Sequence, residues 1–489
     1  MADRLFIDDQ WVPAQETMPV INPATGRPFD TAPSASRSDA ARAVAAARQA
    51  FDHGSWAHTT PRHRADLLRR LGQAMHKRRE ELVELVVRES GFPRPLAEAV
   101  HVQSAIDFLY DVADRLLPSM AFTTPLNPHA APSMTGQMQT TQGVVTREAA
   151  GVAALLTPFN AAIPLTVHKL ASALAAGCTT VIKPSPHTSL QVLLLAELVQ
   201  EAGFPPGVVN IITGDVAAGV ELTSNPGVDI VSFTGSDAVG RTIAAQASAT
   251  FKKVILELGG KSANIIFADA DLDRAALEVV GNTVTNAGQG CLLLTRTLVD
   301  ARVHDELVAK VIPMLAAVTI GDPADPATAM GPLISAAERD RVEAMIRRGQ
   351  AEGAVLAHGG NRPHGLGPGF YLEPTLFTGV KNSMSIAQRE FFGPVNVVIP
   401  FSGEDEAIQI ANDSDYGLNA GVFTRDFARA HAVARRIRSG TVNINASWGI
   451  NPDAPFGGLK HSGLGREGGA YGIAEFLEHK YISWPVGVI

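Results

Sequence analysis

The chain has 489 residues, 46% of them hydrophobic and 18% charged, which is enough apolar material for two or three domains with large packed cores and argues against a disordered array. Acidic side chains (49) outnumber basic ones (41), giving a net charge of −8, and Lys and Arg are scattered, so the composition speaks against nucleic acid as a partner. Two cysteines in so long a chain fit a reducing cytoplasm better than a disulfide framework.

The N-terminus, Met1-Ala-Asp-Arg-Leu-Phe-Ile-Asp-Asp9, carries acids where a secretory signal needs a basic start and an apolar core, so no export signal is expected. Residues 38–119 read as helix-rich, and the charges in Arg62–Ser90 as a solvated helix face. Residues 120–142, rich in Thr, Ser and Gln, read as an excursion from the core, with Val144–Arg147 a strand returning to it. Lys480–Trp484 is a second outlying strand. Two such strands either pair across subunits or form an edge hairpin.

From 151 to 257 short β-branched runs alternate with helical stretches: Val152–Leu156, Thr179–Ile182, Val208–Ile212, Asp229–Phe233 and Val254–Leu256 are each sized for a buried parallel strand. Gly151–Val167 is apolar, but Pro158, Asn160 and Pro164 make it a strand, loop and helix start rather than a membrane span. Leu190–Gly203 reads as a helix with Ser189 as N-cap and Gly203 as its stop. This is a doubly wound nucleotide-binding layout. A second α/β region runs from about 260 to 460, with strands at Arg296–Val299, Asn396–Pro400, Ala420–Phe423 and Thr441–Ile444.

Cys291 stands out chemically: it lies in Asn286-Ala-Gly-Gln-Gly-Cys291, whose glycines and amides suit a backbone turned toward a ligand, and a rare thiol there points to a nucleophile. Glu257, in Leu256-Glu-Leu-Gly-Gly-Lys261, follows an apolar strand and precedes two glycines, so its carboxylate projects from a strand end as a candidate base. Cys178, between a helix end and a strand, reads as a small buried apolar residue. His53, His58 and His63 lack an acidic or thiol partner, and no metal site is expected.

Thr157-Pro-Phe-Asn160, Lys183-Pro-Ser185, Phe233-Thr-Gly-Ser236, Glu257-Leu-Gly-Gly-Lys261, Gly288-Gln-Gly-Cys291, Glu390-Phe-Phe-Gly-Pro394 and Pro455-Phe-Gly-Gly458 occur in this order. Through them the chain resembles an aldehyde dehydrogenase over almost its whole length. The resemblance implies an α/β protein with a Rossmann-like cofactor domain (1–125 and 148–259), a second α/β catalytic domain (260–465) and a small strand-exchange element (126–147 and 466–489). It also implies a homodimer or homotetramer. Cys291 would attack the aldehyde carbon, Asn160 would hold the oxyanion, Glu257 would activate the hydrolytic water, and Lys169 would assist the proton traffic.

For the dinucleotide, the resemblance implies Lys183, Ser185, Pro186, Gly214, Phe233, Thr234, Gly235, Ser236, Leu258, Gly259, Glu390 and Phe392. Gly235-Ser-Asp-Ala-Val-Gly240 lacks the middle glycine of the Rossmann fingerprint, so the resemblance rather than the spacing carries that assignment. Many members of the family carry Lys-Pro-Ser-Glu where this chain reads Lys183-Pro-Ser-Pro186. The carboxylate that would repel a 2′-phosphate is absent, so NADP is not excluded, but no arginine stands in this motif to bind a phosphate and NAD is favoured. His187 is either a solvent-exposed loop residue or a neighbour of that phosphate.

The substrate tunnel by resemblance comprises Phe159, Ala161, His168, Leu292, Trp448, Ile450 and Phe456, and its flat apolar walls suit an aromatic or branched apolar aldehyde. His168 equally suits a satisfied helix histidine. Acyl transfer to coenzyme A is an alternative that the presence of Glu257 disfavours. A non-catalytic binding protein on the same scaffold would be expected to have lost Cys291, Asn160 or Glu257.

Overall fold

The computed structural model describes residues 3–447 and 451–486, and every count below refers to those residues. An eight-stranded sheet runs in the order Gln10–Pro13, Arg4–Ile7, Val209–Ile211, Thr179–Pro184, Val152–Thr157, Ile230–Thr234, Lys253–Glu257 and Gly463–Leu464. Its five strands between residues 152 and 257 are parallel to one another. Their β-branched runs are buried on both faces. Ala153 and Leu155 enter one core with the helices Pro61–Lys77, Ala162–Ala176 and Ser189–Ala202. Val152 and Ala154 enter the opposite core with Arg37–Asp52 and Val216–Ser224. Alternating side chains therefore feed two helical layers, the doubly wound arrangement that continuous apolar strands require.

Two edges of this sheet depart from the sequence reading. Arg4–Ile7 joins one edge antiparallel to Val209–Ile211, and Gly463–Leu464 returns from the far end of the chain to pair antiparallel with Lys253–Glu257. The helix Ser189–Ala202 ends where expected, with Gly203 at φ 84°. Its start differs: Thr188 is the N-cap and contributes no side-chain cap. The buried Glu89 carboxylate does that work instead, accepting from Leu190 N–H at 2.7 Å and Gln191 N–H at 3.0 Å. Cys178 is fully buried, as its bland reading required. Arg62–Ser90 divides into two helices, Pro61–Lys77 and Arg79–Ser90, at Arg78.

A seven-stranded sheet, Val355–His358, Thr375–Thr378, Val395–Phe401, Arg296–Asp300, Ala263–Ile266, Ala420–Phe423 and Asn443–Ile444, forms the second layer system. Leu477–Pro485 pairs antiparallel with Met138–Ala149 of the same chain, and Thr123–Pro125 and His129–Pro132 also pair with Met138–Ala149. The polar stretch 120–142 is thus largely strand, its regularity supplied by neighbouring backbones rather than by its own composition. Tyr481, Ile482 and Trp484 stand exposed on this small sheet.

Candidate active site

Glu257 is the last residue of the strand Lys253–Glu257 and lies opposite Gly463. It is 1% exposed, and neither carboxyl oxygen has a hydrogen-bond partner among the described residues. Burial, then the like charge of Glu467, pushes its carboxyl up to about 8, while Lys169 opposes. The glycines that follow admit close neighbours. A Cβ on Gly259 would meet Glu390 Oε2 at 2.5 Å, and one on Gly260 would meet the Cys291 carbonyl at 2.5 Å. The Glu-Leu-Gly-Gly pattern therefore lets the loop of Cys291 lie directly against the strand end that carries Glu257.

Cys291 is half-buried, and its thiol is pushed well above the ordinary range by burial and then by the charges of Glu257 and Glu390. Asn160 sits, 6% exposed, in the turn between Val152–Thr157 and the helix Ala162–Ala176. Its carbonyl accepts from Asn286 Nδ2 at 3.0 Å, and its own side-chain amide makes no hydrogen bond among the described residues. Lys169, within the same helix, donates from Nζ to Ser232 Oγ at 3.1 Å and to the Glu467 carboxylate. Glu467 was not foreseen. It is set among glycines in Gly465-Arg-Glu-Gly-Gly469, the same kind of context that marked Glu257, and that was the signal available.

The residues assigned to the dinucleotide gather along the ends of the parallel strands. Lys183 is buried, donates to the Pro184 carbonyl at 3.0 Å and is pushed down to about 8 by burial, with Asp215 opposing. Ser185 Oγ accepts from His187 N–H at 3.3 Å, and Pro186 is exposed. Gly214 precedes Asp215, the N-cap of Val216–Ser224. Phe233 and Thr234 end the strand Ile230–Thr234, and the buried Thr234 Oγ1 has no hydrogen-bond partner among the described residues. Gly235 leads into Ser236, the N-cap of the helix Asp237–Ser248. Gly240 packs on Leu258, where a Cβ would meet Leu258 Cδ2 at 2.6 Å, so it serves helix packing. Glu390 Oε1 accepts from Gly260 N–H at 2.9 Å, and burial pushes this carboxyl up to about 7. A buried hydroxyl without a partner, a lysine, a carboxylate and a capped helix start form a donor set that fits a dinucleotide.

Of the tunnel residues, Phe159 meets Phe392 edge-on at 5.7 Å and the exposed His187 at 6.0 Å, so it joins the dinucleotide group to the tunnel group. Ala161 is the N-cap of Ala162–Ala176 and offers no side-chain cap. His168 stacks on Phe108 with ring centroids 3.9 Å apart, and burial pushes its imidazole down to about 4, so it is neutral. Leu292 is half-buried, its carbonyl held by Asn419 Nδ2 at 2.8 Å. Phe456 exchanges backbone hydrogen bonds of 2.6 and 2.7 Å with Glu467, which ties this candidate tunnel residue to the buried ion pair. Trp448 and Ile450 lie outside the described residues. Among the described residues no three His, Cys, Asp or Glu side chains gather as metal ligands, and no helix is long and apolar enough to cross a membrane.

Comparison with known proteins agrees with this geometry. The model of the aldehyde dehydrogenase family matches residues 11–482. Geranial dehydrogenase of Castellaniella defragrans is 40% identical over 485 residues, 98% of each chain. The crystal structure of a mutant of aldehyde dehydrogenase C from Pseudomonas syringae, in complex with NAD+ and octanal, is 40% identical. It superposes with a TM-score of 0.93 over 98% of this chain and 96% of that one. Betaine aldehyde dehydrogenase from Staphylococcus aureus, solved with NAD+, is 35% identical with a TM-score of 0.94, covering 99% of this chain and 94% of that one. A match to the family model over residues 11–482, relatives at 40% identity and a shared fold establish that this chain belongs to the aldehyde dehydrogenase family.

Proposed function

We propose that the chain oxidises apolar aldehydes to carboxylic acids with NAD, through a thioester on Cys291. One observation carries the reading: a buried Glu257 carboxyl without a hydrogen-bond partner sits beside the Cys291 thiol. An unpaired buried carboxyl costs stability, and such a cost persists where chemistry uses it. The Cys291 thiol gives its proton to the Glu257 carboxylate, which releases it to solvent; the sulfur bonds to the aldehyde carbon as the carbonyl π bond opens, and the resulting oxyanion is held by the Asn160 side-chain amide and the Cys291 backbone N–H. Bound NAD supplies the acceptor for the hydride that leaves this carbon. Glu257 then takes a proton from water, the water oxygen attacks the thioester carbon, and the carbon–sulfur bond breaks to release the acid. Lys169 and Glu467 form a buried ion pair that sets the field around Glu257.

Lys183, Ser185, Pro186 and Gly214 would hold the adenosine side of NAD. Phe233, Thr234, Gly235, Ser236 and Leu258 would hold the pyrophosphate region, and Gly259, Glu390 and Phe392 the nicotinamide ribose. Phe159, Ala161, His168, Leu292 and Phe456 would wall the aldehyde tunnel. The geranial and octanal named for two relatives at 40% identity support an apolar substrate. The exposed Tyr481, Ile482 and Trp484 of the small sheet support assembly as a homodimer or homotetramer, measurable by sedimentation. An NADH-absorbance assay over a panel of aldehydes tests the whole reading. Apolar terpenoid or aromatic aldehydes should exceed acetaldehyde in kcat/KM by about tenfold or more, since each buried methylene contributes about 0.8 kcal/mol. Cys291→Ala should abolish turnover, and acetaldehyde as the best substrate would overturn the tunnel assignment.

A further inference from the structure

The loop carrying Cys291 belongs to the second α/β region, whereas the turn carrying Asn160 belongs to the eight-stranded sheet, so the nucleophile and the oxyanion donor are positioned by different units. One side chain joins the two loops. Asn286 donates from Nδ2 to the Asn160 carbonyl at 3.0 Å, and its Oδ1 lies 3.2 Å from His101 Nε2. Because the Asn286 amide nitrogen is committed to a carbonyl, its other end is an acceptor, and His101 must donate from Nε2. His101 suits that role. It is 1% exposed, stacked on Phe92 with centroids 4.7 Å apart, and burial pushes its imidazole down to about 4, so the ring is neutral and its tautomer is fixed.

Asn286 reaches both partners only from an unusual backbone. Asn286 (φ 50°), Ala287 (φ 53°) and Gly288 (φ 72°) lie consecutively in the left-handed region. Alanine has no side-chain compensation there, and such a conformation persists only where its surroundings impose it. The Asn286 carbonyl also accepts from Gln289 N–H at 3.1 Å and Gln289 Nε2 at 2.9 Å, while Gln289 Oε1 accepts from Ile334 N–H at 3.0 Å. The strained turn is thus fastened within its own unit by Gln289 and to the other unit by the Asn286 side chain.

We infer that Asn286 and His101 are positioning residues that fix the nucleophile loop against the oxyanion donor, with His101 Nε2 donating to the Asn286 amide and orienting it. This rests on the proposed roles of Cys291 and Asn160. Neither His101 nor Asn286 touches the reacting atoms. Their loss should therefore slow formation of the tetrahedral adduct while leaving NAD affinity and the aldehyde KM nearly unchanged.

The test uses stopped-flow NADH bursts on the full-length enzyme. Asn286→Gly removes both side-chain bonds but suits a left-handed backbone, so a purely conformational role predicts no loss, whereas positioning predicts a burst rate lower by about 10²-fold. His101→Phe keeps the aromatic stack on Phe92 without the donor and should lower the burst rate at least about tenfold, whereas His101→Gln restores a donor and should recover most of it. NAD affinity within about threefold of wild type in all three variants is the companion readout. A wild-type burst rate in Asn286→Gly, or equal losses in His101→Phe and His101→Gln, would overturn the inference. Cys291→Ala, run alongside, separates the two levels: activity there sinks the catalytic reading itself, whereas an inactive Cys291→Ala beside a fully active Asn286→Gly sinks only the positioning role.

Discussion

After burial, the Glu467 side chain contributes to the pH at which the proposed base works, and replacing it gives a shift of definite sign. Glu257 is held up to about 8, first by burial and then by Glu467, with Lys169 opposing. A general base acts as the carboxylate, so acyl-enzyme hydrolysis is present above that value and is lost as pH falls through it. At pH 7 about a tenth of the carboxyl is ionised and at pH 9 about nine tenths, so hydrolysis should accelerate about tenfold between them. Glu467→Gln removes the like charge and leaves the Lys169 ammonium facing Glu257 alone, and both changes favour the carboxylate. A nearby charge typically moves a carboxyl by about one unit or more, so the midpoint should fall by about that much, about 1.4 kcal/mol per unit. Lys169→Met should move it upward. Rapid-quench measurement of acid release from preformed acyl-enzyme between pH 5.5 and 9.5 reads the midpoint independently of hydride transfer. A flat wild-type profile, or an upward shift in Glu467→Gln, would refute the reasoning.

Ala161→Phe adds a ring at the start of the Ala162–Ala176 helix, where the proposed tunnel wall lies. It should lower kcat/KM for bulky aldehydes selectively, and an equal loss for acetaldehyde in the same assay would contradict the tunnel assignment. Pro186 is exposed beside Lys183 and lacks a carboxylate, so wild type should discriminate against NADP only modestly. Pro186→Glu should lower kcat/KM for NADP far more than for NAD, whereas wild-type rejection of NADP beyond about 10³-fold, roughly 4 kcal/mol, would assign the discrimination to another residue. Glu89→Ala strips the acceptor from Leu190 N–H and Gln191 N–H in the core. It should cost about 3 kcal/mol in urea unfolding, and a change under about 0.5 kcal/mol would show that another group caps the helix.

The parallel sheet was legible because its strands are continuous apolar runs punctuated by helix stops, a pattern set by local chemistry. Cys291 and Glu257 were legible because a rare thiol and a strand-end carboxylate each sit among glycines. Asn160 and Lys169 entered through resemblance, and the structure shows what their neighbours do. Glu467 escaped because its meaning lies in Lys169, 298 residues away, and His101 because one of 14 histidines in a helical stretch carries no local mark. The Ser189 cap was misread for the same reason: Glu89, about a hundred residues upstream, supplies the acceptor that a local rule assigned to the nearest serine. Local propensity fixes where elements begin and end, whereas partners brought together by topology decide which side chain does the work.

The return of Gly463–Leu464 to the edge beside Lys253–Glu257 also sets a biosynthetic order. Ribosomes deliver Cys291, Glu257 and Lys169 long before residues 463–467, so a nascent chain already carries the thiol and the carboxyl while the strand opposite Glu257 and the counter-ion of Lys169 are still missing. A buried ammonium without its carboxylate is strongly unfavourable, so the pocket around Glu257 cannot close in its mature form during most of translation. The set formed by Lys169, Glu257 and Glu467 is therefore completed only when residues 463–467 arrive and the last strand joins the eight-stranded sheet.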